Sequence, residues 1–408
     1  MLTVYIKRHL ETVLIELSAQ YPCILLSGPR QVGKTTLIQN LPDTDKRKYV
    51  TLDDLDLRAM AKNDPKGFLQ LYKPPVCIDE IQYAPELFPY IKITVDASRR
   101  PGDFVLTGSQ IYHLMRGVSE SLAGRIAVLN MQGLSVSELS SLPNRPFFPA
   151  FDDFVDRKLS PMPDTPAMYK QIFRGGMPAV ATGLYPDSAR FYSVYLSTYL
   201  QRDIRDISRG IDELKFASFI TACACRTAQI LNTAEIARDA GIDVSTASNW
   251  LGLLETLGII FYLHPYSNNL LKRTLKKPKL YFYDTGFVAF LCKWASPETL
   301  LVGAQSGAVF ETFVVSEIIK SYYNAGYEPF IYYYRDTDAK EIDILIERDG
   351  ALYPIEIKKS GSAGKRDARA FSVIRKSGLT QGTGAVISIR DTFVSSGEDL
   401  LLIPASLL

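Results

Sequence analysis

The sequence has no large excess of positive or negative charge, and its amino-acid composition is that of a folded protein. Its 408 residues contain 46 Lys and Arg against 44 Asp and Glu, which leaves a net charge of only +2. This balance excludes a strongly basic, histone-like chain, although it still permits a local basic patch. Hydrophobic residues (47%) and charged residues (22%) occur at ordinary frequencies, which excludes disorder, collagen-like repeats and coiled coil as whole-chain descriptions. The length favours two or three domains.

Cysteine is also scarce. The five cysteines are an odd number and no two have C-x-x-C spacing: Cys23, Cys77, Cys223, Cys225 and Cys292. A disulfide framework or a zinc ribbon therefore does not fit, and a reducing cytosol is the simpler setting. Cys223 and Cys225 lie two positions apart on a predicted helix, so they face different directions and are expected to pack in the core.

No apolar run is long enough to span a bilayer. The longest uncharged run, Thr256–Leu271, is interrupted by Pro265, Asn268 and Asn269. A signal peptide is also not expected, because charged residues come too early at the N-terminus, at Lys7, Arg8, Glu11 and Glu16. We therefore expect a cytoplasmic protein without a membrane segment.

Strand-like and helical patterns alternate in the first 140 residues. The apolar runs are Cys23–Ser27, Tyr49–Leu52, Val76–Ile78 and Phe104–Thr107, and helical patterns at Lys34–Asn40 and Glu86–Ser98 lie between them. This alternation predicts an α/β fold with a parallel sheet and helices on both faces. A proline-dense stretch follows, and we interpret residues 141–212 as an insertion and helical lid that includes a long helix from Ala189 to Arg209.

A phosphate-binding loop follows the first predicted strand. The motif G-x-x-x-x-G-K-[ST] is matched by Gly28-Pro29-Arg30-Gln31-Val32-Gly33-Lys34-Thr35. The glycines let backbone N–H groups wrap a phosphate at a helix N-terminus, Lys34 can reach the β- and γ-phosphates, and Thr35 can bind Mg²⁺. Together with Thr36, these residues form the predicted site for ATP and Mg²⁺, and residues 1–140 are predicted to be a P-loop NTPase core.

Further candidate catalytic residues follow the later strands. Asp79 and Glu80 end the run Val76–Ile78; Asp79 would hold the Mg²⁺ shell and Glu80 would act as general base on water. Ser109 or Thr107, at the end of the next strand, could sense the γ-phosphate, although a turn or helix-cap role is the alternative. Arg125 is a candidate arginine finger, and an ordinary surface arginine is the alternative.

These elements together resemble the prokaryotic AAA+-type ATPases that carry a C-terminal domain of unknown function. The resemblance is carried by Gly28–Thr36, Val76–Gln82 with the following Pro85-Glu86-Leu87-Phe88, Leu106–Ser109, Ser121–Arg125, Gly175-Gly176-Met177-Pro178 and Gln201-Arg202-Asp203-Ile204-Arg205. It covers nearly the whole chain and implies ATP binding and hydrolysis. Relatives of this type often act as rings with the finger supplied in trans, so a homo-oligomer is compatible with it.

Residues 213–283 have the pattern of a winged helix. Helices are predicted at Leu214–Ile230, Thr233–Ala240 and Val244–Leu257, with a turn at Gly241, and two β-rich runs then frame a hairpin, Ile259–Leu263 and Leu280–Tyr283. Five basic residues could bind DNA phosphates, namely Lys272, Arg273, Lys276, Lys277 and Lys279. The alternative is a protein-contact or packing module.

The last predicted domain, residues 284–408, contains a second candidate site. Glu356 and Lys358 share one face of a strand, Asp343 can lie opposite them across a hairpin that turns at Asp349-Gly350, and Glu311 lies on the helix Gly307–Ser321. This is the layout of a PD-(D/E)xK nuclease in a small α/β, restriction-endonuclease-like domain. The acids are expected to converge and either to bind Mg²⁺ or to rest on Lys358 as a counter-ion. An exposed charged hairpin is the alternative.

Three functions therefore compete. The leading one is an ATP-binding and ATP-hydrolysing AAA+-type switch that moves or gates the C-terminal modules. The second is a Mg²⁺-dependent DNA endonuclease licensed by ATP. The third is a non-catalytic DNA-binding or protein-scaffold regulator.

Overall fold

The computed structural model describes residues 5–42, 46–109, 121–157, 164–200, 212–267, 277–336, 338, 340–397 and 399–408. Two units are distinguished: the first contains Met1–Arg145, Leu254–Ile259 and Tyr323–Tyr327, and the second contains Pro146–Leu253, Ile260–Tyr322 and Glu328–Leu408. The division into four domains at 1–140, 141–212, 213–283 and 284–408 stays a prediction. Among the described residues, no helix combines the length and the apolar character needed to cross a membrane.

A five-stranded parallel sheet forms the centre of the first unit. Its strands are β1 (Cys23–Ser27), β2 (Lys48–Thr51), β3 (Val76–Asp79), β4 (Phe104–Gly108) and β5 (Ile126–Asn130), in the spatial order β2-β3-β4-β1-β5. β1, β3 and β4 are buried along their whole length, which explains why they read as unbroken apolar runs. The predicted parallel sheet is confirmed. β5 is only partly buried, and no predicted strand corresponds to it.

Helices cover this sheet, and three of those described begin at a side-chain cap. They are Leu10–Ser18, Lys34–Gln39, Leu55–Asn63, Pro65–Leu71, Leu87–Ser98 and Val136–Leu139, with a 3-10 turn at Ile81–Tyr83. The Asp54 side chain caps one helix by accepting N–H bonds from Asp56 and Leu57, and Asp64 caps the next by accepting one from Gly67. The longest of these helices buries Phe88 and Ile91 in the same apolar cluster as strands β1, β3 and β4.

The second unit opens with four helices, and the residues around two of them contact Asp284. These helices are Phe151–Arg157, Thr165–Arg174, Pro178–Ala181 and Ser188–Val194, the last continuing as a π-helix through Tyr195–Leu200. Asp284 accepts hydrogen bonds from the Tyr192 hydroxyl (2.7 Å) and the Gly176 amide (2.8 Å). A Cβ on Gly175 (φ 81°) would lie 2.3 Å from the Asp284 carboxylate. The Gly175–Pro178 segment therefore packs closely for structural reasons. Gln201–Arg205 lies outside the described residues, as does the predicted helix beyond residue 200.

Three helices and a small antiparallel sheet follow. The helices are Glu213–Ala224, Thr233–Ala240 and Val244–Thr256; the strands are β6 (Gln229–Ile230), β7 (Ile260–Leu263) and β8 (Lys279–Phe282), in the order β6-β8-β7. Trp250 packs edge-on against Phe216 and Phe219, with ring centroids 5.3 Å apart in both pairs. Gly241 ends the second helix with φ 64°, as its predicted turn role requires.

A six-stranded mixed sheet completes the second unit. Its strands are β9 (Ile331–Arg335), β10 (Glu341–Arg348), β11 (Ala351–Lys358), β12 (Gly384–Ser388), β13 (Val394–Ser395) and β14 (Leu400–Pro404), in the order β13-β14-β12-β11-β10-β9. Strands β9, β10 and β11 run antiparallel, whereas β11, β12 and β14 are parallel. The remaining helices are Thr285–Leu291, Pro297–Val302, Ser306–Tyr323 and Ser372–Lys376, with 3-10 turns at Asp367–Phe371 and Ala405–Leu407. The β10–β11 turn has positive φ at Asp349 and Gly350, as its sequence predicts.

Candidate functional site

The phosphate-binding loop leaves β1 through a glycine that no other residue can replace. Gly28 has φ 152°, and a Cβ built there would lie 2.0 Å from the Met131 carbonyl oxygen. The loop ends at Gly33, whose left-handed conformation (φ 95°) starts the helix Lys34–Gln39. Both glycines are required by the backbone path, and the backbone N–H groups at this helix start can face an anion.

Lys34 and Arg8 hold this loop through its carbonyl groups. The buried Lys34 ammonium donates to the carbonyls of Gly28 and Pro29, both at 2.8 Å. Arg8 donates to the Val32 carbonyl and, through its other guanidinium nitrogens, to the Gln132 carbonyl and the Glu138 carboxylate, each at 2.8 Å. Sequence reasoning missed Arg8, because an arginine 20 positions before the motif carries no local signal.

The Arg8–Glu138 pair is buried on both sides. Its side chains are 4% and 0% exposed, so neither charge is solvated by bulk water. Burial raises the pKa of Glu138, but the Arg8 charge and N–H donors from Arg8, Ser135 and His9 outweigh burial and hold that pKa below its usual range. This carboxylate therefore remains ionised and fixes Arg8 against the phosphate-binding loop.

The structure brings Thr35 and Asp79 together at the carboxyl edge of the sheet. The Thr35 hydroxyl donates to Asp79 Oδ2 at 2.9 Å, and the Tyr49 hydroxyl donates to the same oxygen at 2.7 Å. Thr107 donates its hydroxyl to the other oxygen of Asp79. Burial raises the pKa of Tyr49, and its hydrogen bond to Asp79 adds to the rise, so the phenol remains a donor. Asp79 is thereby fixed by three hydroxyl groups.

Beside Asp79, Glu80 lies in a strained backbone conformation. Its φ is 59° and its ψ is 44°, a region that few non-glycine residues occupy. This turn points the Glu80 amide at the Thr107 hydroxyl, to which it donates at 3.2 Å. Thr107 therefore supports both members of the acidic pair, and its predicted role as a phosphate sensor stays a prediction.

Gln82 connects Glu80 to Ser109. Its side-chain amide donates to the Glu80 carboxylate and lies 3.3 Å from the Ser109 hydroxyl. Its carbonyl oxygen Oε1 is buried and has no hydrogen-bond partner among the described residues. Sequence reasoning did not select Gln82 as a site residue. Only its place in the 3-10 turn after the acidic pair gives it this position.

Arg125 lies away from the phosphate-binding loop. Its carbonyl accepts a hydrogen bond from the amide of Cys23, the first residue of β1, whereas the loop follows the last residue of that strand. Its guanidinium pairs with Asp96 at 2.5 Å, and this hydrogen bond lowers the pKa of Asp96. Arg125 therefore does not reach this chain's own loop, and a role in trans stays a prediction.

The residues at the loop fit a nucleotide with Mg²⁺. Mg²⁺ in such enzymes takes one or two carboxylates together with substrate phosphates; here Thr35 and Asp79 offer one hydroxyl and one carboxylate, while Lys34 supplies a cation. Among the described residues, no group of three or more His, Cys, Asp or Glu side chains is arranged to hold a metal ion. A metal in this site would therefore depend on the phosphates of the nucleotide for its other ligands.

The acidic residues of the C-terminal region gather around a lysine that sequence reasoning assigned elsewhere. Lys279 Nζ lies 3.0 Å from Glu311 Oε1, 2.5 Å from Glu341 Oε1 and 3.7 Å from Asp343 Oδ1. Its side chain is only 4% exposed. Burial lowers the pKa of Lys279, but the charges of Glu311, Asp343 and Glu341 outweigh burial and raise it above its usual range. We call Lys279, Glu311, Glu341, Asp343 and Glu356 the lysine-centred cluster.

The backbone positions Asp343 toward this lysine. A register shift between Ile342 and Leu345 interrupts the β9–β10 ladder, and such bulges re-aim side chains. Asp343 Oδ2 then accepts the Ile357 amide at 2.8 Å. Because Asp343 lies beside them, its charge adds to burial and raises the pKa of Glu311 to about 7 and that of Glu356 to about 8.

The four residues predicted for this site lie together, namely Glu311, Asp343, Glu356 and Lys358. The buried counter-ion, however, is a different lysine from the one predicted. Lys358 pairs with Glu356 at 2.5 Å, but its side chain is 41% exposed, and the buried counter-ion for Glu311 and Asp343 is Lys279. The interpretation of Lys279 as part of a DNA-binding basic wing is wrong, because its ammonium is buried among carboxylates. Lys277 is exposed, and the other basic residues of that run lie outside the described residues: Lys272, Arg273 and Lys276.

Glu311, Asp343 and Glu356 are also not arranged to hold a metal ion. The Mg²⁺ ligation expected for these three carboxylates stays a prediction, and in this arrangement Lys279 supplies the positive charge beside Glu311 and Asp343. Glu356 Oε2 is buried without a hydrogen-bond partner among the described residues, as expected for a carboxyl whose pKa is raised.

Comparison with known families divides the chain into three parts. Residues 20–140 match the family described as AAA domain, residues 165–298 match a domain of unknown function (DUF8612), and residues 306–408 match another domain of unknown function (DUF4143). The first part thus matches the AAA domain family, in agreement with the resemblance that its motifs carry. The C-terminal match agrees with the expected domain of unknown function.

The chain is similar to two mycobacterial proteins and, more distantly, to proteins of known structure. The uncharacterized proteins Rv2008c of Mycobacterium tuberculosis and Mb2031c of Mycobacterium bovis are each 29% identical over 343 residues, which cover 84% of this chain and 71% of theirs. A Walker-type ATPase of Pyrococcus abyssi is 17% identical with a TM-score of 0.44, covering 70% of this chain and 96% of that one. The Thermotoga maritima RuvB Holliday junction branch migration motor is 18% identical with a TM-score of 0.31, covering 63% and 89%.

Proposed function

We propose that this chain, whose residues 20–140 match the AAA domain family, hydrolyses ATP and works as a nucleotide-driven switch. The observation that carries the proposal is the 2.9 Å bond between Thr35 of the phosphate-binding loop and Asp79 at the end of β3. It joins the two elements that phosphoryl transfer requires, a phosphate cradle and an acidic strand end. Glu80, Gln82 and Ser109 lie next to it in one hydrogen-bonded row.

In this proposal each side chain has a separate task. Lys34 binds the β- and γ-phosphates, and the N–H groups of residues 28–34 surround them. Glu80 accepts a proton from the attacking water, because a carboxylate at this position can act as general base. Gln82 orients Glu80 and, through its unpaired carbonyl oxygen, the water. Mg²⁺, held by Thr35 and Asp79, would neutralise charge on the phosphates when bound.

The C-terminal modules are the parts on which the switch would act. We interpret residues 213–283 as a winged helix, which the order helix, strand, helix, helix, strand, strand supports. Ser245, Ser248 and Asn249 at the start of its third helix are exposed and could contact a nucleic-acid backbone. The alternative is a contact with protein, and a homo-oligomer fits either.

A second candidate function follows from the lysine-centred cluster, in which the C-terminal region serves recognition without cleavage. The ammonium group of Lys279 lies among the carboxylates of Glu311, Glu341 and Asp343, where a nuclease would bind its metal ion. A two-metal or one-metal nuclease needs those oxygens free for Mg²⁺. This contact supports a non-cleaving, nuclease-like scaffold over the ATP-licensed endonuclease.

Two parallel assays on the full chain test these proposals. The first measures phosphate release from ATP for the wild type and for Glu80→Gln, with and without duplex or single-stranded DNA. We expect turnover in the wild type and none in the variant. The second assay incubates labelled DNA with Mg²⁺ or Mn²⁺ and ATP. Absence of turnover in the wild type would overturn the switch, and metal-dependent cleavage lost in Asp343→Asn would overturn the scaffold.

A further inference from the structure

Two cysteines of the second unit lie with their sulfur atoms in contact. Cys225 Sγ and Cys292 Sγ are 3.7 Å apart. Cys225 follows the helix Glu213–Ala224, and Cys292 follows the helix Thr285–Leu291. Both are half-buried, whereas the other three cysteines are buried. The expectation that Cys225 packs in the core is therefore wrong, and this pair is the accessible part of the cysteine set.

The two thiols are not equivalent. Either thiol can donate to the other across this contact. Hydrogen bonding with Cys292 and Gln305, together with the nearby Arg226 charge, lowers the pKa of Cys225 to about 6 despite partial burial. The same bond and burial raise the pKa of Cys292. Cys225 is thus the stronger nucleophile at neutral pH, with Cys292 held against it as the protonated partner.

Both cysteines are attached to fixed backbones. The Cys225 carbonyl accepts a hydrogen bond from Gln305 at 3.4 Å, and Gln305 accepts one from Trp294, two residues beyond Cys292, at 3.2 Å. Arg226, next to Cys225, donates to the Ala222 carbonyl at 3.1 Å. A disulfide needs an S–S distance of about 2.05 Å. The two sulfur atoms, now 3.7 Å apart, must therefore move closer before the bond can form.

We propose that Cys225 and Cys292 form a reversible disulfide, with a small-molecule disulfide such as oxidised glutathione as oxidant. The Cys225 thiolate attacks one glutathione sulfur, which forms a mixed disulfide and releases one glutathione thiolate. Cys292 then loses its proton to solvent and attacks Cys225 Sγ, which forms the internal disulfide and releases the second glutathione. Two protein thiols are oxidised, and one glutathione disulfide is reduced to two glutathione thiols.

This bond would link the first helix of the proposed winged helix to the helix Thr285–Leu291. The intervening chain, which includes β6, β7 and β8, would become a covalently closed loop. Because such a loop has less conformational freedom when unfolded, the oxidised protein should unfold at a higher temperature. In a reducing cytosol the thiols stay free, so the bond would report oxidative conditions.

The test equilibrates the full-length protein with oxidised glutathione in excess over reduced glutathione. Free thiols are then counted after denaturation, and a peptide map locates the cross-link. We expect five free thiols before oxidation and three after it, in line with five cysteines of which two pair. The matched control is Cys223→Ala, two positions earlier in the last turn of the helix Glu213–Ala224, which should still form the Cys225–Cys292 bond.

Two serine variants test the order of attack. Cys292→Ser should retain glutathione on Cys225, because no partner resolves the mixed disulfide, and Cys225→Ser should take up little at Cys292. Five free thiols in the oxidised wild type, or a cross-link through any other cysteine, would overturn the proposal. A glutathione adduct confined to Cys292 would overturn the assignment of the nucleophile.

Discussion

Thr35 donates its hydroxyl to Asp79 across 2.9 Å, although 44 positions separate the two residues in the sequence. The bond exists because β1 and β3 are parallel and both flank β4, so that their carboxyl ends meet at one edge of the sheet. The first turn of a helix and the end of a strand are thereby combined into one polar site. The predictions for ATP hydrolysis follow from this arrangement.

We expect Lys34→Ala and Glu80→Gln to separate nucleotide binding from turnover. Lys34→Ala removes the cation that faces the phosphates and should abolish most ATP binding. Glu80→Gln keeps the shape and the hydrogen bond with Gln82 but removes the base, so binding should persist while the turnover rate falls by about 10²- to 10⁴-fold. Binding of a fluorescent ATP analogue and phosphate release measure the two effects.

Glu86→Gln is the matched control for Glu80→Gln. Glu86 is exposed on the segment that follows the 3-10 turn, so the same chemical change should leave binding and turnover as in the wild type. Equal turnover in Glu80→Gln and wild type would show that another group activates the water.

Gln82→Ala should lower turnover without weakening ATP binding. The variant loses the amide that holds Glu80 and the carbonyl oxygen that has no partner in the described part of the chain, but it leaves the phosphate-binding loop intact. We expect a loss of about tenfold or more in the rate constant of hydrolysis, as for other orienting groups. Gln39→Ala, on the exposed end of the helix Lys34–Gln39, is the control. An unchanged rate in Gln82→Ala would remove Gln82 from the site.

The sequence predicts those parts of the site that lie within one local motif. The residues Gly28–Thr35 and the pair Asp79–Glu80 each follow an apolar strand, and a parallel sheet then brings the strand ends together. Arg8 and Gln82 could not be predicted in this way. Arg8 is held against the loop by Glu138, which lies 130 positions away in the sequence, and only the folded chain shows that contact.

The burial of Lys279 could not be predicted from its sequence neighbours either. A run of basic residues indicates charge but not the direction of each side chain. Lys279 is the first residue of β8, which is buried along its length, whereas Lys277 lies before the strand and is exposed. The β10–β11 hairpin, by contrast, was predictable, because Asp349-Gly350 specifies the turn and the turn fixes the register.

We expect the Arg8–Glu138 pair to make the first unit sensitive to acid. The pKa of Glu138 is lower in the folded protein than in the unfolded chain. The ionised carboxylate therefore stabilises the fold at every pH above the pKa of an unfolded glutamate, which is about 4.3. This contribution to stability is lost as the pH falls from the pKa of the unfolded chain through the lower pKa of Glu138 in the folded protein. Melting temperatures of wild type and Glu138→Gln should differ near neutral pH and converge in acid. A difference that does not change with pH would contradict this account.

Arg125 should act between subunits if it acts in catalysis at all. Arg125→Ala should then bind ATP without turning it over, and mixing it with a Lys34→Ala chain should restore part of the activity, because each chain supplies what the other lacks. Asp96→Asn, which removes the present partner of Arg125 but keeps the guanidinium, should stay active. If the protein is monomeric at every concentration and Arg125→Ala does not change its rate of ATP hydrolysis, Arg125 is not an arginine finger between subunits.

Our last prediction concerns Lys279, which offsets the charges of Glu311, Glu341 and Asp343. Lys279→Met leaves those carboxylates without their buried cation, which in other proteins costs about 3–5 kcal/mol. We therefore expect the variant to unfold at a lower temperature than the wild type in EDTA. A divalent cation can replace the lost charge, so Mn²⁺ or Mg²⁺ should restore part of the stability of Lys279→Met. Lys277→Met, at an exposed position two residues earlier, should behave as the wild type does in both conditions.

A second change distinguishes loss of charge balance from loss of packing. In the double variant Lys279→Met with Glu311→Gln, one negative charge is also removed, so part of the stability should return even in EDTA. If packing of the lysine stem were the main contribution, the double variant would be no more stable than Lys279→Met. If the wild type itself gained stability from Mn²⁺, and Asp343→Asn abolished that gain, the cluster would be a metal site in which Lys279 gives way. The non-cleaving scaffold would then be the wrong function for the C-terminal region.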